Sequence, residues 1–378
     1  MIKTIGFPRM KKEEGEKRVF LPEFIQFLAG LGATVFVEAG YGSRSGFSFS
    51  DYHRGNPSVQ SCTRQVAFQK EIVVMLRAPE ADEFKMMRPG TCLVSMLHYP
   101  TRPKRVERLK KHGIKAISLD GIVNDNNVRL VENMKAVAWN GLETAFSLLE
   151  QRWPDLKRPD GKPIRVLILG TGMIGKHAVD AATKLGNVER NRLHIKSRGA
   201  GAIAVTAGRN VTYQGAIMES LFRQTDILVD ATQRLNPSLP VVPNDWIAWL
   251  PEHALIVDLS VDPYTVDISP PVVRGVEGIP QGNLDQYVLH PEDPNWEKTV
   301  PASVPSKNRR TVISCYSWPG IHPNASMEHY GQQLRPLMRI LLEKGYDQLS
   351  AEGPYFERSL YRATLDAWLQ ESSTPGIG

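Results

Sequence analysis

Six residues, Gly170-Thr171-Gly172-Met173-Ile174-Gly175, constrain this chain more than any others. They follow an apolar run, Val166-Leu167-Ile168-Leu169, and open a helix-like stretch from Lys176 to Leu185. Strand, glycine turn, helix is the order in which a dinucleotide pyrophosphate is bound. Gly170 permits the tight turn, Gly172 lets the backbone approach the phosphates, and Gly175 lets the helix pack close to the strand. The phosphates then meet N–H groups at the positive end of a helix. A glycine motif alone is weak evidence, but its flanks supply the context it requires, and all six residues are candidate cofactor contacts.

Strand and helix signals alternate on both sides of this turn. Upstream, Thr34–Glu38, Ile72–Leu76 and Cys92–Leu97 read as buried strands, and Pro22–Leu31 reads as a helix. A long amphipathic stretch, Glu132–Arg152, leads through a charged, proline-bearing connector, Asp155–Pro163, and is expected to bridge two domains. Downstream, Ala202–Thr206, Ile227–Val229 and Leu255–Val257 read as strands. This alternation predicts an α/β chain of doubly wound parallel sheets, with ligands at the carboxyl ends of the strands. Ala231, Thr232 and Ser260 lie at such ends and are further candidate cofactor contacts. After the proline-rich passage Pro291–Pro305, the strand Val312-Ile313 and a helix from about Met327 to Lys344 are expected to return to the first domain. The expected division is a substrate domain of residues 1–131 plus 312–378 and a dinucleotide-binding domain of residues 132–311.

A length of 378 residues suits two or three domains. Cys62, Cys92 and Cys315 are widely spaced and form no C-x-x-C, so neither a disulfide framework nor a metal site is expected, and a reducing, cytoplasmic compartment fits best. Charged residues follow closely after Met1–Ile5, and no run of about 18 apolar residues exists, so no membrane span is expected. The net charge is +6, but Lys104, Arg105, Arg108, Lys110 and Lys111, interleaved with Val106 and Leu109, read as the solvated face of a helix. With no aromatic platform beside them, nucleic-acid binding is not expected. The positive excess suits anionic cofactors and carboxylate substrates.

Domains that prefer NAD place an acid at the end of the second strand, about 20 residues beyond the glycine turn. That strand is either Arg192–Lys196 or Ala202–Thr206, the β-branched content favouring the latter, and neither ends in an acid. The latter runs into Ala207-Gly208-Arg209-Asn210, where the Arg209 guanidinium would pair with a 2′-phosphate. NADP(H) is therefore the expected cofactor, with NAD(H) as the alternative.

Several stretches carry a family resemblance. Gly6-Phe7-Pro8 with Glu16-Lys17-Arg18-Val19, Val37-Glu38-Ala39-Gly40-Tyr41-Gly42, Asp51-Tyr52, Met96-Leu97-His98, Val257-Asp258-Leu259-Ser260-Val261-Asp262 and Pro301-Ala302-Ser303-Val304-Pro305 resemble the alanine dehydrogenase and nicotinamide nucleotide transhydrogenase superfamily. Val312-Ile313-Ser314 to Pro319, Pro323 and the Glu328–Leu342 stretch are similar to lysine-forming saccharopine dehydrogenase, a member of the same superfamily. The resemblance implies two Rossmann-like domains with the active site in an interdomain cleft, a homo-oligomer, and a hydride moved between a nicotinamide cofactor and the carbon bearing an amine. The substrates it implies are a small amino acid, a 2-oxo acid or both.

By the same resemblance, Arg18 matches a carboxylate-binding arginine, whose planar fork can grip a carboxylate bidentately. Without the resemblance it would read as a surface arginine in a charged run. His98 falls where the family places a catalytic histidine, and an imidazole can accept a proton near neutral pH. Asp262 matches an acid beside the nicotinamide and the substrate amine, its other reading being a turn cap before Pro263. The chain also departs from the family. Leu76-Arg77-Ala78-Pro79 stands where the family carries a catalytic lysine, and Arg77 can bind a carboxylate but cannot serve as a neutral base. Lys135 lies where alanine dehydrogenases place a small hydroxyl residue; buried, its amine would take over part of that work, and exposed, it is an ordinary helix lysine. Tyr316 and Ser317 replace the acid and histidine of saccharopine-type enzymes, so Tyr316 is a candidate substrate contact with a different specificity, and Trp318 either lines that pocket or belongs to the core.

Three functions compete on these grounds. The leading one is an NAD(P)H-dependent dehydrogenase acting on the CH–NH bond of an amino acid or an opine-type secondary amine. The others are a catalytically altered cofactor-binding regulator, favoured by Arg77, and a transhydrogenase-like component.

Overall fold

The computed structural model describes residues 3–152, 161–234 and 236–373; most of the expected connector at 155–163 lies outside them. Among these residues the chain divides into two compact units. The first comprises the residues up to Lys12, Glu16–Asn133 and the residues from His322 onward, and the second comprises Glu13–Gly15 and Met134–Ile321.

The first unit holds six strands: β1 (Thr4–Phe7), β2 (Thr34–Glu38), β3 (Val59–Cys62), β4 (Ile72–Arg77), β5 (Cys92–Met96) and β6 (Lys115–Ser118). They form one parallel sheet in the order β3-β2-β1-β4-β5-β6. Strands such as Ile72-Val73-Val74-Met75-Leu76 are apolar without alternation because helices cover both faces of the sheet. One face packs on the helices Pro22–Gly30 and Pro323–Lys344 through Phe24, Ile25, Leu28, Leu334 and Leu337. The other packs on Pro103–Lys111 through Val106 and Leu109; Lys104, Lys110 and Lys111 are exposed as the sequence predicts, whereas Arg105 turns inward and donates to the Leu97 carbonyl at 2.7 Å. Each buried aliphatic side chain of this kind contributes about 1.5–3 kcal/mol. The strand order reverses between β1 and β4, which is where a doubly wound sheet opens a crevice at its carboxyl ends.

In the second unit, β7 (Ile164–Leu169), β8 (Ala202–Ala207), β9 (Ile227–Asp230), β10 (Leu255–Asp258), β11 (Val288–Leu289) and β12 (Thr311–Ser314) form a sheet in the order β11-β12-β10-β9-β7-β8. All pairs are parallel except the short edge strand β11. The order reverses between β7 and β9. The helix Met134–Arg152 packs on the helix that follows β7 and on β10 and β12.

One expectation needs correction, and two open alternatives close. The strand at Val312-Ile313 pairs between β10 and β11, so the chain leaves the second unit after Ile321 and not at residue 312. The residues Arg192–Lys196 are helical, inside Val188–Ser197, where Asn187 caps the first turn by accepting from the N–H groups of Glu189 and Arg190. The second strand is therefore Ala202–Ala207. Trp318 is core, with its indole N–H donating to the Asp258 carbonyl at 3.0 Å. No helix among the described residues is long and apolar enough to cross a membrane.

Candidate active site

The glycine turn is built as its spacing requires. Gly170 has φ +95°, and a Cβ there would lie 2.4 Å from the Ala231 carbonyl oxygen. Gly175, in the first turn of the helix Met173–Thr183, sits so close to β7 that a Cβ would come within 2.1 Å of the Gly170 carbonyl oxygen. Around Gly172, by contrast, nothing lies within 4 Å of a Cβ position, so the backbone is open to a ligand on that side. Thr171 and Met173 are exposed, and Ile174 packs against the core and anchors the turn. Lys176 N–H bonds Gly172, which leaves the amides before it as those an anion would take. The residues present thus fit a dinucleotide pyrophosphate.

Beneath the turn lies a hydrogen-bonded floor that sequence reasoning missed. Asp230, at the end of β9, accepts from the Thr232 amide at 3.0 Å and hydroxyl at 2.7 Å, and its Oδ2 lies 3.0 Å from Ser260 Oγ. Asp258, at the end of β10, accepts from Ser260 at 3.1 Å, Ser314 at 2.8 Å and the buried Arg274. Ala231, Thr232 and Ser260 are thereby brought together at the switch point. Arg209 opens a short helix directly after β8, exposed, and donates to the Gln233 carbonyl at 3.0 Å.

In the first unit, Arg18 and Arg77 converge on one carboxylate, that of Glu16. Arg18 donates to both of its oxygens, at 2.9 and 2.6 Å, and Arg77 to the second at 2.9 Å. The Glu16 side chain is 0% exposed. Burial alone would raise its pKa, yet Arg18 and Arg77 outweigh that and hold it at about 2. His98 follows β5, two residues beyond Met96, the register partner of Arg77. Its φ is +50°, a left-handed conformation uncommon for a residue with a side chain, and its amide and that of Leu97 both donate to Asp120. His98 Nδ1 lies 3.1 Å from the second Asp120 oxygen. Burial opposes the Asp120 charge, but hydrogen bonds from His98 and Ser118 prevail and hold its carboxyl well below the usual range. With Nδ1 so engaged and the ring half exposed, Nε2 is the nitrogen able to exchange a proton.

The remaining candidates are placed less favourably. Asp262 is ion-paired with Arg234 at 2.7 Å, and Arg234 also staples the carbonyls of Pro237, Leu239 and Val273. Tyr316 donates to Glu13 at 2.6 Å. Lys135 is exposed, with its amine 5.8 Å from the Trp139 ring centre. That ring also carries Lys184, at the end of the helix Met173–Thr183 opposite the glycine turn. Eleven residues of helix separate Met173 from Lys184, about 16 Å at 1.5 Å per residue. Lys135 thus stands as an exposed helix lysine.

The partners Glu16 and Asp258 lie within motifs already noted, two residues from Arg18 and from Ser260, where alternating positions of a loop or strand end bring side chains together. Asp120 and Arg234 carry no local signal, since they reach their partners across 22 and 28 residues.

Residues 6–138 match the domain family described as alanine dehydrogenase/PNT, N-terminal domain. Beyond it, the alanine dehydrogenase of Bacillus subtilis (strain 168) is 24% identical over 279 residues, which span 68% of this chain and 70% of the relative. The NAD(P) transhydrogenase subunit alpha of Haemophilus influenzae (strain ATCC 51907 / DSM 11121 / KW20 / Rd) is 22% identical over 90% of this chain and 66% of its own length. A solved L-alanine dehydrogenase structure superposes with a TM-score of 0.71 at 22% identity, covering 96% of this chain and 94% of that one. The alanine dehydrogenase fold thus extends through both units, in keeping with two Rossmann-like sheets.

Proposed function

We propose that the protein is an NAD(P)H-dependent oxidoreductase acting on the CH–NH bond of an amino acid or an opine-type secondary amine. The observation that carries this reading is the glycine turn with its open side at Gly172, on a chain similar to alanine dehydrogenases. Bound there, a nicotinamide cofactor would supply the hydride acceptor or donor for the carbon bearing the amine. The chain's own groups would bind and move protons. Arg18 and Arg77 bring two guanidinium groups together at the Glu16 carboxylate, and their planar forks suit the carboxylate of an amino or 2-oxo acid. His98, oriented by Asp120, would exchange a proton with the amine or with attacking water through Nε2. Arg209, with no acid at the end of β8, supports NADP(H) over NAD(H).

A second reading has a specific observation behind it. Asp262 is committed to Arg234, and Arg77 replaces a titratable lysine, which suits a chain that binds dinucleotide without turning over substrate. One experiment separates the two. A panel of amino acids and 2-oxo acid plus amine pairs is followed by NADPH absorbance, with cofactor affinity measured in parallel by calorimetry. Turnover with some pair, and NADP(H) at least about tenfold tighter than NAD(H), about 1.4 kcal/mol, is expected. Arg209→Ala should narrow that gap. Tight dinucleotide binding with no turnover across the panel selects the regulator, and no dinucleotide binding removes both.

A further inference from the structure

Ser260 stands between two buried carboxylates and has one hydrogen to give. Its Oγ lies 3.0 Å from Asp230 Oδ2 and 3.1 Å from Asp258 Oδ1, and both aspartates are 1% exposed. A single hydroxyl cannot donate to two ionised carboxylates at once, because each is an acceptor only. The geometry closes if one carboxyl is protonated and donates to the serine, which then donates to the other.

The surrounding charges decide which one. Arg274 Nη2 contacts Asp258 Oδ2 and lies 3.1 Å from Ser314 Oγ, so the buried cation neutralises Asp258. Arg274 Nε and Nη1 have no hydrogen-bond partner among the described residues, so its charge is given to no second acid, and its other face lies 5.9 Å from the Tyr264 ring. Asp230 has no such cation. It faces Thr232 on its own loop, Ser260 and Asp258 on the β10 side, and Gly275, which packs so closely that a Cβ there would lie 2.3 Å from Asp230 Oδ2. Arg234 is committed to Asp262 and to the carbonyls of Pro237, Leu239 and Val273. A bare carboxylate in that enclosure is strongly disfavoured.

We propose that Asp230 is carried as a neutral carboxylic acid that donates to Ser260 and positions the Ala231–Thr232 turn against Gly170, so that loss of its proton weakens dinucleotide binding. The resulting chain runs from Asp230 O–H to Ser260 Oγ, and from Ser260 O–H to Asp258, which Arg274 balances. Burial, and then the Asp258 charge, push the Asp230 carboxyl up to about 6, in agreement with this assignment. The coupling to the cofactor is steric: Ala231 O would touch a Cβ on Gly170, so a shift of the 231–232 turn moves the glycine turn. Asp230 is thus a positioning residue, and the proposal rests on the dinucleotide reading above.

The test uses the full chain, with NADPH and NADH as probes. Infrared difference spectra between the parent and Asp230→Asn should show a protonated carboxylic acid band below about pH 6 that the variant lacks. The parent's dinucleotide Kd should rise at least about tenfold between about pH 5 and pH 8, as expected for one proton lost across a unit or more of pKa difference between bound and free states. Asp230→Asn, whose amide can donate to Ser260 and accept from Thr232, should keep the tight value at both pH values, whereas Asp230→Ala should be weak at both. A purely structural aspartate would give weakening in both variants without the pH contrast. Ser260→Ala supplies an independent check, since removal of the shared hydroxyl should shift the acid band. A parent Kd that is flat with pH, or the absence of the band, overturns the proposal. If neither dinucleotide binds at any pH, the dinucleotide reading falls and takes the positioning role with it, while the band alone shows that the failure lies in that reading and not in the proton count.

Discussion

A carboxylate with no exposed surface, set between two guanidinium groups, remains ionised only as long as both arginines hold it. Glu16 is in that position, and its folded pKa of about 2 lies below the ordinary 4.5. Its contribution to stability is therefore fully present above about pH 4.5 and is lost as pH falls toward 2. The size is on the order of 3 kcal/mol at 1.36 kcal/mol per unit. The unfolding free energy of the first unit should fall over that window in acid titrations followed by circular dichroism, and Glu16→Gln should flatten the slope; an unchanged slope would show that the arginines do not hold the charge. Asp230 has the opposite sign, because its pKa is raised above 3.8. Its contribution is full below about pH 3.8 and is lost as pH rises through about 6. Neither effect was legible in the sequence. Arg18 and Arg77 could be picked out by type and position, but that both would share one glutamate depends on β1 and β4 lying side by side, a pairing that joins residues 67 positions apart.

At the scale of elements, what was local was legible. The glycine turn, the run Ile72–Leu76 and the Ala202 strand are each specified by neighbours within a few residues, and the sheet follows from their alternation. The helix Val188–Ser197 was missed because its apolar residues face out: Leu193 and Ile195 are 60% and 70% exposed, so no buried stripe marks its period. The burial of Lys135 stayed open for a related reason, since helical spacing gives the face of a residue but not what covers that face. The turn itself makes a sharp prediction. Gly175→Ala would press a Cβ onto a backbone oxygen, which cannot rotate away, and should cost about 1–3 kcal/mol in thermal unfolding together with most of the dinucleotide affinity. Gly172→Ala meets nothing within 4 Å, so it should leave Tm nearly unchanged and weaken only the dinucleotide. Equal losses of stability in the two variants would refute the assignment of their roles.

For the whole molecule, the relevant fact is that the first unit is discontinuous. Its core takes Phe20, Phe24, Ile25 and Leu28 from the beginning of the chain and Met327, Tyr330, Leu334, Leu337, Met338 and Leu341 from the helix Pro323–Lys344. Six such side chains are worth on the order of 10 kcal/mol, comparable with the entire stability of a domain. A chain cut before His322 should therefore lose the cooperative unfolding of the first unit, while residues 134–321 keep their own core and bind dinucleotide. A truncated protein that melts as the parent does would count against this ledger of contacts. The sequence placed the return of the chain ten residues too early, at 312 instead of 322, because the short run Val312-Ile313 would suit either sheet and only its pairing reveals its owner. The same discontinuity bears on synthesis. The ribosome delivers the six strands of the first sheet and must then make residues 134–321 before the helix that covers them emerges. At 5–20 residues per second this is a delay of roughly 10–40 s, in which Phe24, Leu28 and the strands under them stand uncovered while the second unit can already close. The cell must shield the first third of the chain until the residues from His322 onward arrive.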